Sequence, residues 1–111
     1  MSWRYQPVYI DEPIGRTVTL IEAYFDDDGN FTSWTEGDSC PAGETAEELA
    51  SDLHRMIIDA LCWEPAPRAA LKPGYQFEHR VSMEERLELV DFIGQIKDSM
   101  NRRTIQKPAS N

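Results

Sequence analysis

Residues 17–25, TVTLIEAYF, constrain the fold most, because apolar side chains occupy both sets of alternate positions along them. One set is Val18, Leu20 and Tyr24, and the other is Thr19, Ile21, Ala23 and Phe25. Successive side chains of a strand point to opposite faces of the sheet. A strand that is apolar on both faces is covered on both sides. The pattern therefore predicts a central β-strand here.

Two further strands are expected beside the central one. Residues 26–30, DDDGN, have the composition of a hairpin turn, in which Asp and Gly adopt the required backbone angles. A calcium loop is the alternative for this stretch, but with Gly29 at its sixth position the loop would begin at Tyr24 and end at Thr35, where acids are required. Residues 31–36 then return as a strand. Residues 3–10, WRYQPVYI, form another, which Pro7 places at a sheet edge.

A capped helix follows the strands. Thr45 and Glu48 have the spacing of a capping box, and the prolines that follow end the helix near Cys62 or Trp63. The apolar positions predict one buried stripe, formed by Leu49, Leu53, Met56, Ile57 and Ala60. The solvent face is predicted to hold Glu48, Asp52, Arg55 and Asp59.

The remainder of the chain predicts a fourth strand and a second helix. Residues 75–81, YQFEHRV, alternate apolar with polar groups, as a one-sided strand does. Ser82 and Glu85 form a second capping box, and the helix that it begins runs to about Arg102 or Arg103. The sequence thus predicts an α+β fold, β-β-β-α-β-α: a three- to four-stranded, mainly antiparallel sheet with one helix packed on it and a C-terminal helix. Residues 1–103 form one domain and 104–111 a flexible tail.

Charge is unevenly distributed along the chain. The 111 residues carry a formal net charge of −9, and residues 1–64 hold 14 acidic but only 3 basic residues. Such a chain is a poor non-specific ligand for nucleic acid, because that binding needs cations against phosphates. We therefore expect no direct nucleic-acid binding, and a basic partner protein or simple solubility instead.

The sequence also predicts the compartment. No signal peptide is visible, and no apolar stretch approaches the roughly 20 residues that span a bilayer. Two cysteines, Cys40 and Cys62, are too few for a disulfide scaffold. We expect a cytoplasmic protein with free thiols and no membrane contact.

Motifs for catalysis, cofactors or metals are missing from the sequence. Cys40, His54, Cys62 and His79 lack ligand spacing, so we expect neither a metal nor a cofactor. Cys40 could be drawn as a dyad with His54 or His79, but nothing in the sequence orients it. The prediction is that the protein is not an enzyme.

The second helix is the strongest indication of an interaction surface. Its apolar positions cover roughly 220° of a helical wheel, too wide for contact with a single sheet face. Arg86 and Lys97 fall inside this arc. The predicted partner-binding residues are Trp63, Arg86, Leu89, Phe92, Ile96 and Met100, and the predicted acidic surface is Asp26, Asp27, Asp28, Glu36, Glu48 and Asp52. A homodimer through the C-terminal helix is also expected.

Residues 5–81 resemble HicB-type antitoxin domains. The resemblance lies in Asp28 and Gly29 of the hairpin and in the helix start formed by Gly43, Glu44, Thr45, Glu47, Glu48 and Leu49. It implies a small meander, a helix, a fourth strand and a C-terminal piece for oligomerisation or DNA binding. Small uncharacterised bacterial proteins with a D-x-D-G turn and a W-T-E strand, here Trp34, Thr35 and Glu36, are also similar to this chain.

Three functional hypotheses follow from these features. The first is an antitoxin-like module whose acidic surface occludes a basic, RNA-binding partner. The second is an inhibitor from a phage or mobile element that mimics the charge of nucleic acid. The third is a small enzyme, which no motif supports.

Overall fold

The structure confirms the predicted α+β fold. The computed structural model describes residues 1–106, with side chains throughout except for Lys97 and residues 100–106. The elements are β1 (Ser2–Glu12), β2 (Gly15–Phe25), β3 (Phe31–Trp34), α1 (Ala46–Cys62), β4 (Ala66–Pro67), a short 3-10 turn (Arg68–Ala70) and α2 (Met83–Gln106). Helix α2 continues three residues into the predicted tail, and residues 107–111 lie outside the described residues.

The sheet has the strand order β3-β2-β1-β4. The pairs β1–β2 and β2–β3 are antiparallel, and β4 runs parallel to β1. Strand β2 is central, as predicted, and its Ile21 and Ala23 are fully buried. The β2–β3 turn contains Gly29 at a φ of +84°, which is the left-handed region that glycine adopts without strain. Sequence and structure thus agree on the middle of the sheet.

Strand β1 is not at an edge, contrary to the prediction from Pro7. Successive backbone N–H groups of a strand point to opposite sides, and the Tyr5 N–H points away from β2, toward α1. The nitrogen of Pro7, two residues on, faces the same way. On that side β4 pairs only with Val8 and Tyr9. Because the nitrogen of Pro7 faces away from β2, the N–H group that proline lacks removes no hydrogen bond between β1 and β2. Proline is therefore tolerated in an inner strand.

The fourth strand lies in a different segment from the predicted one. Strand β4 comes from the proline-rich connector, whereas residues 75–81 contain only an isolated bridge between His79 and Trp63. Their backbone bonds to the chain that follows α1: the Glu64 N–H donates to the Glu78 carbonyl at 2.9 Å, and the Arg80 N–H to the Cys62 carbonyl at 2.8 Å. Tyr75 and Phe77 still pack on the core, as their alternation predicts.

The core occupies one face of the sheet, under the connector that follows α1. It is made of Val8, Ile21, Ala23, Phe31, Ala66 and Leu71, with Phe25, Trp34, Tyr75 and Phe77 packed around them. Helix α1 does not belong to this cluster. It lies instead against β1, near the start of the strand. The molecule therefore has an apolar core on one side and a separate, more polar helix contact.

Helix α1 begins where the capping box predicts. Thr45 is the N-cap, and its hydroxyl accepts from the Glu48 N–H at 3.1 Å. The Glu48 carboxylate accepts in return from the Glu44 N–H at 2.8 Å, one residue before the cap itself. Reciprocal bonds of this kind satisfy donors that a helix start leaves unpaired.

The face that α1 buries is not the predicted one. Its buried residues are Met56, Ile58, Asp59 and Cys62, whereas Leu49, Leu53 and Ile57 are exposed. The helix is rotated by about 120° from the orientation that apolar periodicity predicts. The reason is polar: the Tyr5 N–H has no strand partner on its side, and the Asp59 carboxylate accepts it at 3.0 Å.

Helix α2 uses only part of its wide apolar arc within the chain. The Ser82 hydroxyl accepts from the Glu85 N–H at 3.1 Å, which confirms Ser82 as the N-cap, while the Glu85 carboxylate accepts from the Ser82 hydroxyl at 3.2 Å. Arg86, Leu89, Val90 and Ile93 are half-buried, and the neighbouring positions face solvent. A helix of 24 residues is about 36 Å long. It contributes to an elongated shape of 57 × 34 × 25 Å.

Replacement of the N-cap tests the start of α1. Thr45→Ala should lower the free energy of unfolding by about 1 kcal/mol, because the Glu48 N–H loses its acceptor. Thr45→Ser keeps a hydroxyl in place and serves as the control, with stability close to that of the original chain. Urea unfolding followed by circular dichroism measures both. Equal stability of the Ala and Ser variants would contradict the capping role.

Candidate protein-binding surface on the two helices

The rotation of α1 leaves an apolar stripe on the surface. We call it the α1 stripe; its members are Leu49, Leu53, Ile57 and Leu61, which are between 38% and 46% exposed. Residues spaced four apart lie on the same side of a helix. Four large apolar side chains in one row form a contiguous patch, and patches of this kind are typical of binding surfaces.

Helix α2 carries a second exposed apolar set, which we call the α2 face. It consists of Met83, Leu87, Phe92 and Ile96, which are between 46% and 64% exposed. Met83 and Leu87 lie on one flank of the helix, and Phe92 and Ile96 lie on the other. The exposed positions between the flanks are acidic: Glu84, Glu85, Glu88 and Asp91. The basic residue of this part of the helix, Arg86, is turned inward and half-buried. The outer side of α2 is therefore both apolar and negative.

The structure divides the predicted partner-binding residues into two groups. Phe92 and Ile96 point to solvent as predicted, whereas Arg86 and Leu89 are half-buried. The side chains of Met100 and Lys97 lie outside the described residues. A surface on α2 can thus use Phe92 and Ile96 directly, and Arg86 belongs to the contact with α1.

Trp63 lies apart from this surface. The guanidinium carbon of Arg4 is 3.5 Å from the centroid of its ring, and the His79 ring lies 3.9 Å from it. Phe25 and Phe77 are each 5.1 Å from the same guanidinium carbon. Trp63 therefore holds a cationic side chain inside an aromatic cluster, which accounts for its half-buried position at the end of α1.

The predicted acidic surface is made of carboxylates that mostly serve local structure. Asp26 accepts from the Asp28 and Asn30 N–H groups at 3.0 and 2.8 Å and so shapes the hairpin turn. Asp27 pairs with the amino group of Met1. Glu48 belongs to the capping box of α1, while Asp28 and Glu36 are exposed. All six carboxylates add negative charge to the surface. Four of them also make hydrogen bonds or ion pairs within the chain: Asp26, Asp27, Glu48 and Asp52, of which Asp52 is described next.

Asp52 is the second polar anchor of α1 on the sheet. Its carboxylate accepts from the Tyr5 hydroxyl and from the Ala42 N–H, the latter at 2.9 Å. The Tyr5 hydrogen bond, followed by that of Ala42, lowers the pKa of Asp52 below its usual value. Burial and the same carboxylate raise the pKa of Tyr5, so its hydroxyl stays a donor.

The cysteines and histidines are not gathered into a reactive centre. Cys40 is exposed, whereas Cys62 is buried and burial raises the pKa of its thiol, which opposes formation of a nucleophilic thiolate. Within residues 1–106, no cluster of three His, Cys, Asp or Glu side chains has the arrangement to hold a metal ion. In the same part of the chain, neither helix has the length and apolar character needed to cross a bilayer.

Sequence reasoning missed the α1 stripe as a surface. The apolar row at spacing four is visible in the sequence, but apolar periodicity alone predicts that this row faces the sheet. The missed signal was the polar row on the other side, in which Asp52 and Asp59 stand seven residues apart. Two acids on one helix face opposite a tyrosine-rich strand were evidence for a polar docking side.

No known protein family, curated protein or solved structure matches this chain.

Removal of the Tyr5 hydroxyl tests the Asp52 anchor through its pH dependence. A carboxyl group whose pKa is lowered on folding contributes stability above its ordinary pKa, about 3.9, and loses it as pH falls through the lowered value. Tyr5→Phe should therefore cost about 1 kcal/mol at neutral pH, and progressively less in acid.

Urea unfolding at neutral pH and below pH 3 measures this difference. Tyr9→Phe is the control, because Tyr9 lies on the same strand and no hydrogen bond to its hydroxyl is seen within the described residues. A Tyr5→Phe penalty that stays constant across this pH range would exclude the proposed linkage.

Proposed function

We propose that this protein is a small, non-catalytic protein-binding module of antitoxin type, which acts in the cytoplasm by binding a basic partner protein. The observation that carries the proposal is the α2 face, where exposed apolar side chains alternate with acidic ones. The resemblance of residues 5–81 to HicB-type antitoxin domains supports the same class of function.

The pattern of the α2 face fits a basic amphipathic segment. Apolar side chains such as Phe92 and Ile96, which share one side of the helix, provide contact area, and the acids beside them attract Lys or Arg on the partner. Complementary charge raises the association rate and excludes wrong partners, while apolar burial supplies affinity. The inward position of Arg86 removes the positive charge that would repel such a partner.

The α1 stripe adds apolar area to the proposed surface. Full burial of a Leu, Ile, Met or Phe side chain contributes about 1.5–3 kcal/mol. The eight members of the α1 stripe and the α2 face are each roughly half exposed, so burying them would contribute on the order of 8 kcal/mol before the costs of association. Association itself costs about 4–15 kcal/mol, so charge pairs between the partner and the acids of α2 must add to this apolar contribution.

A second copy of the chain is a weaker candidate for the occupant of the α2 face. Four exposed acids on each copy would be brought together, and like charges across an interface oppose association. The charge-mimic hypothesis requires only acid, and it gives no role to the apolar side chains of either helix. A basic protein partner uses both properties.

Capture from the native host tests the proposal. The full chain, tagged and immobilised, should retain a small basic protein, and the gene for that protein should lie beside its own. Phe92→Glu should weaken the complex at least about tenfold, because it places a charge in the apolar contact. Raised salt should slow association, as expected for opposite charges.

Ile14→Glu is the matched control for this experiment. Ile14 is 96% exposed at the tip of the β1–β2 hairpin, away from both helices, so the same substitution there should leave binding unchanged. Light scattering on the purified chain separates the alternatives: a homodimer that Phe92→Glu dissociates would assign the α2 face to a second copy. Equal loss of capture in both variants would reject the helix surface.

A further inference from the structure

Three arginines line one cavity between β1 and the two helices, although the guanidinium group of Arg4 itself lies against the ring of Trp63. The cavity has a volume of about 260 Å³, and Arg4 reaches it from β1, Arg55 from α1 and Arg86 from α2. Arg4 and Arg55 are two of the three basic residues in the first 64 positions, which hold 14 acids. A positively charged cavity is unexpected in a chain of net charge −9, because acidic residues outnumber basic ones.

The positive charge of this cavity is only partly balanced. Among the described residues that line it, Asp59 is the one carboxylate, so the lining carries a net charge of +1 from Arg55, Arg86 and Asp59 when Arg4, whose guanidinium stacks on Trp63, is left out. No ion pair within the described part of the chain includes any of these three arginines. The Asp59 carboxylate is also already committed, since it accepts the Tyr5 N–H at 3.0 Å.

Burial makes this imbalance costly. Burial lowers the pKa of Arg4 to about 10, although the charge of Asp59 opposes this. Burial also raises the pKa of Asp59, and the Tyr5 N–H and the nearby arginines only partly offset the shift. Both effects show charge held away from water without full compensation. An added anion would compensate Arg55 and Arg86, whereas Arg4 already donates to the Tyr5 carbonyl at 3.3 Å and to the Gln6 Oε1.

His54 provides an independent sign of a missing partner. It lines the same cavity, and its Nε2 is shielded from solvent with no hydrogen-bond partner. Buried polar atoms almost always have a partner in native proteins, and an orphan of this kind indicates a group that the chain does not supply. An oxyanion in the cavity could accept a hydrogen bond from this imidazole.

We propose that this cavity binds a phosphate group, as free phosphate or as a small phosphomonoester. Guanidinium groups bind phosphate through paired N–H donors, and a phosphate near neutral pH carries about 1.5–2 negative charges, which the positive lining attracts. The volume is below the roughly 300–1,000 Å³ of pockets for drug-sized ligands, so the ligand is small. Trp3, whose ring lies 4.3 Å from the Arg55 guanidinium carbon, gives the cavity an apolar wall.

Isothermal titration calorimetry on the full chain tests this site, with sodium phosphate, methyl phosphate, acetate and chloride at one ionic strength. Phosphate should bind saturably, with one site per chain.

Arg55→Gln and Arg86→Gln should each weaken it at least about tenfold, because each removes a charge-assisted contact. Arg16→Gln is the control, since Arg16 lies on the hairpin and pairs with Asp11. Tighter binding of methyl phosphate would identify a phosphomonoester, and tighter binding of inorganic phosphate would identify the free ion.

A measurement on the unmodified chain keeps the test decisive if a variant fails to fold. Phosphate should shift the imidazole NMR resonances of His54 and leave those of His79 in place, because only His54 lines the cavity. Heats that match those of chloride, acetate binding as tight as that of phosphate, or unchanged affinity in folded Arg55→Gln and Arg86→Gln would overturn the proposal.

Discussion

The hydrogen bond from the Tyr5 N–H to the Asp59 carboxylate determines how the two halves of the molecule fit together. Strand β1 pairs with β2 on one side, but on the other side β4 covers only Val8 and Tyr9. The N–H of Tyr5 would otherwise be buried without an acceptor, which is unfavourable by about 1–3 kcal/mol. Helix α1 supplies the acceptor, and to do so it must present its acidic side to the strand.

The exposed surface of α1 follows from this constraint. Asp52 and Asp59 lie on a different side of α1 from the α1 stripe. When Asp52 and Asp59 face β1, the α1 stripe therefore faces away from it. Helix α1 buries Met56, Ile58 and Cys62 beside Asp59 and leaves the α1 stripe in solvent, and α2 leaves the α2 face uncovered as well. Exposed rows of this size are unusual on a chain that acts alone. The acidic residues between the apolar ones of α2 indicate the chemistry of what covers them.

The same docking creates the positive cavity. Arg4 precedes Tyr5 on β1, Arg55 lies one turn before Asp59 on α1, and Arg86 lies in the first turns of α2. Bringing Asp59 to the start of β1 therefore brings the three arginines to the lining of one cavity. In a chain dominated by acid, these few bases concentrate where they have one carboxylate among them. Arg4 is further held by the ring of Trp63, which fixes the guanidinium in place.

Local signals in the sequence were sufficient for the elements themselves. Three kinds of signal act over only a few residues: the capping hydroxyls of Thr45 and Ser82, the DDDGN turn and the two-sided apolar pattern of β2. The structure that each of them forms can therefore be predicted from neighbouring residues. The fourth strand could not be found in this way. Its two residues pair with β1 across more than fifty positions of sequence, and their proline-rich composition opposes a strand.

The sequence by itself determined where helices begin, which strand is central, and that the chain is acidic with a thinly scattered set of bases. Only the tertiary structure decided which side of α1 faces inward and where Arg4, Arg55 and Arg86 meet. Apolar periodicity measures the tendency of side chains to leave water, and it does not include the need of a distant backbone N–H for an acceptor. That need arises only when β1 has taken its place in the sheet, and it then fixes the rotation of the helix.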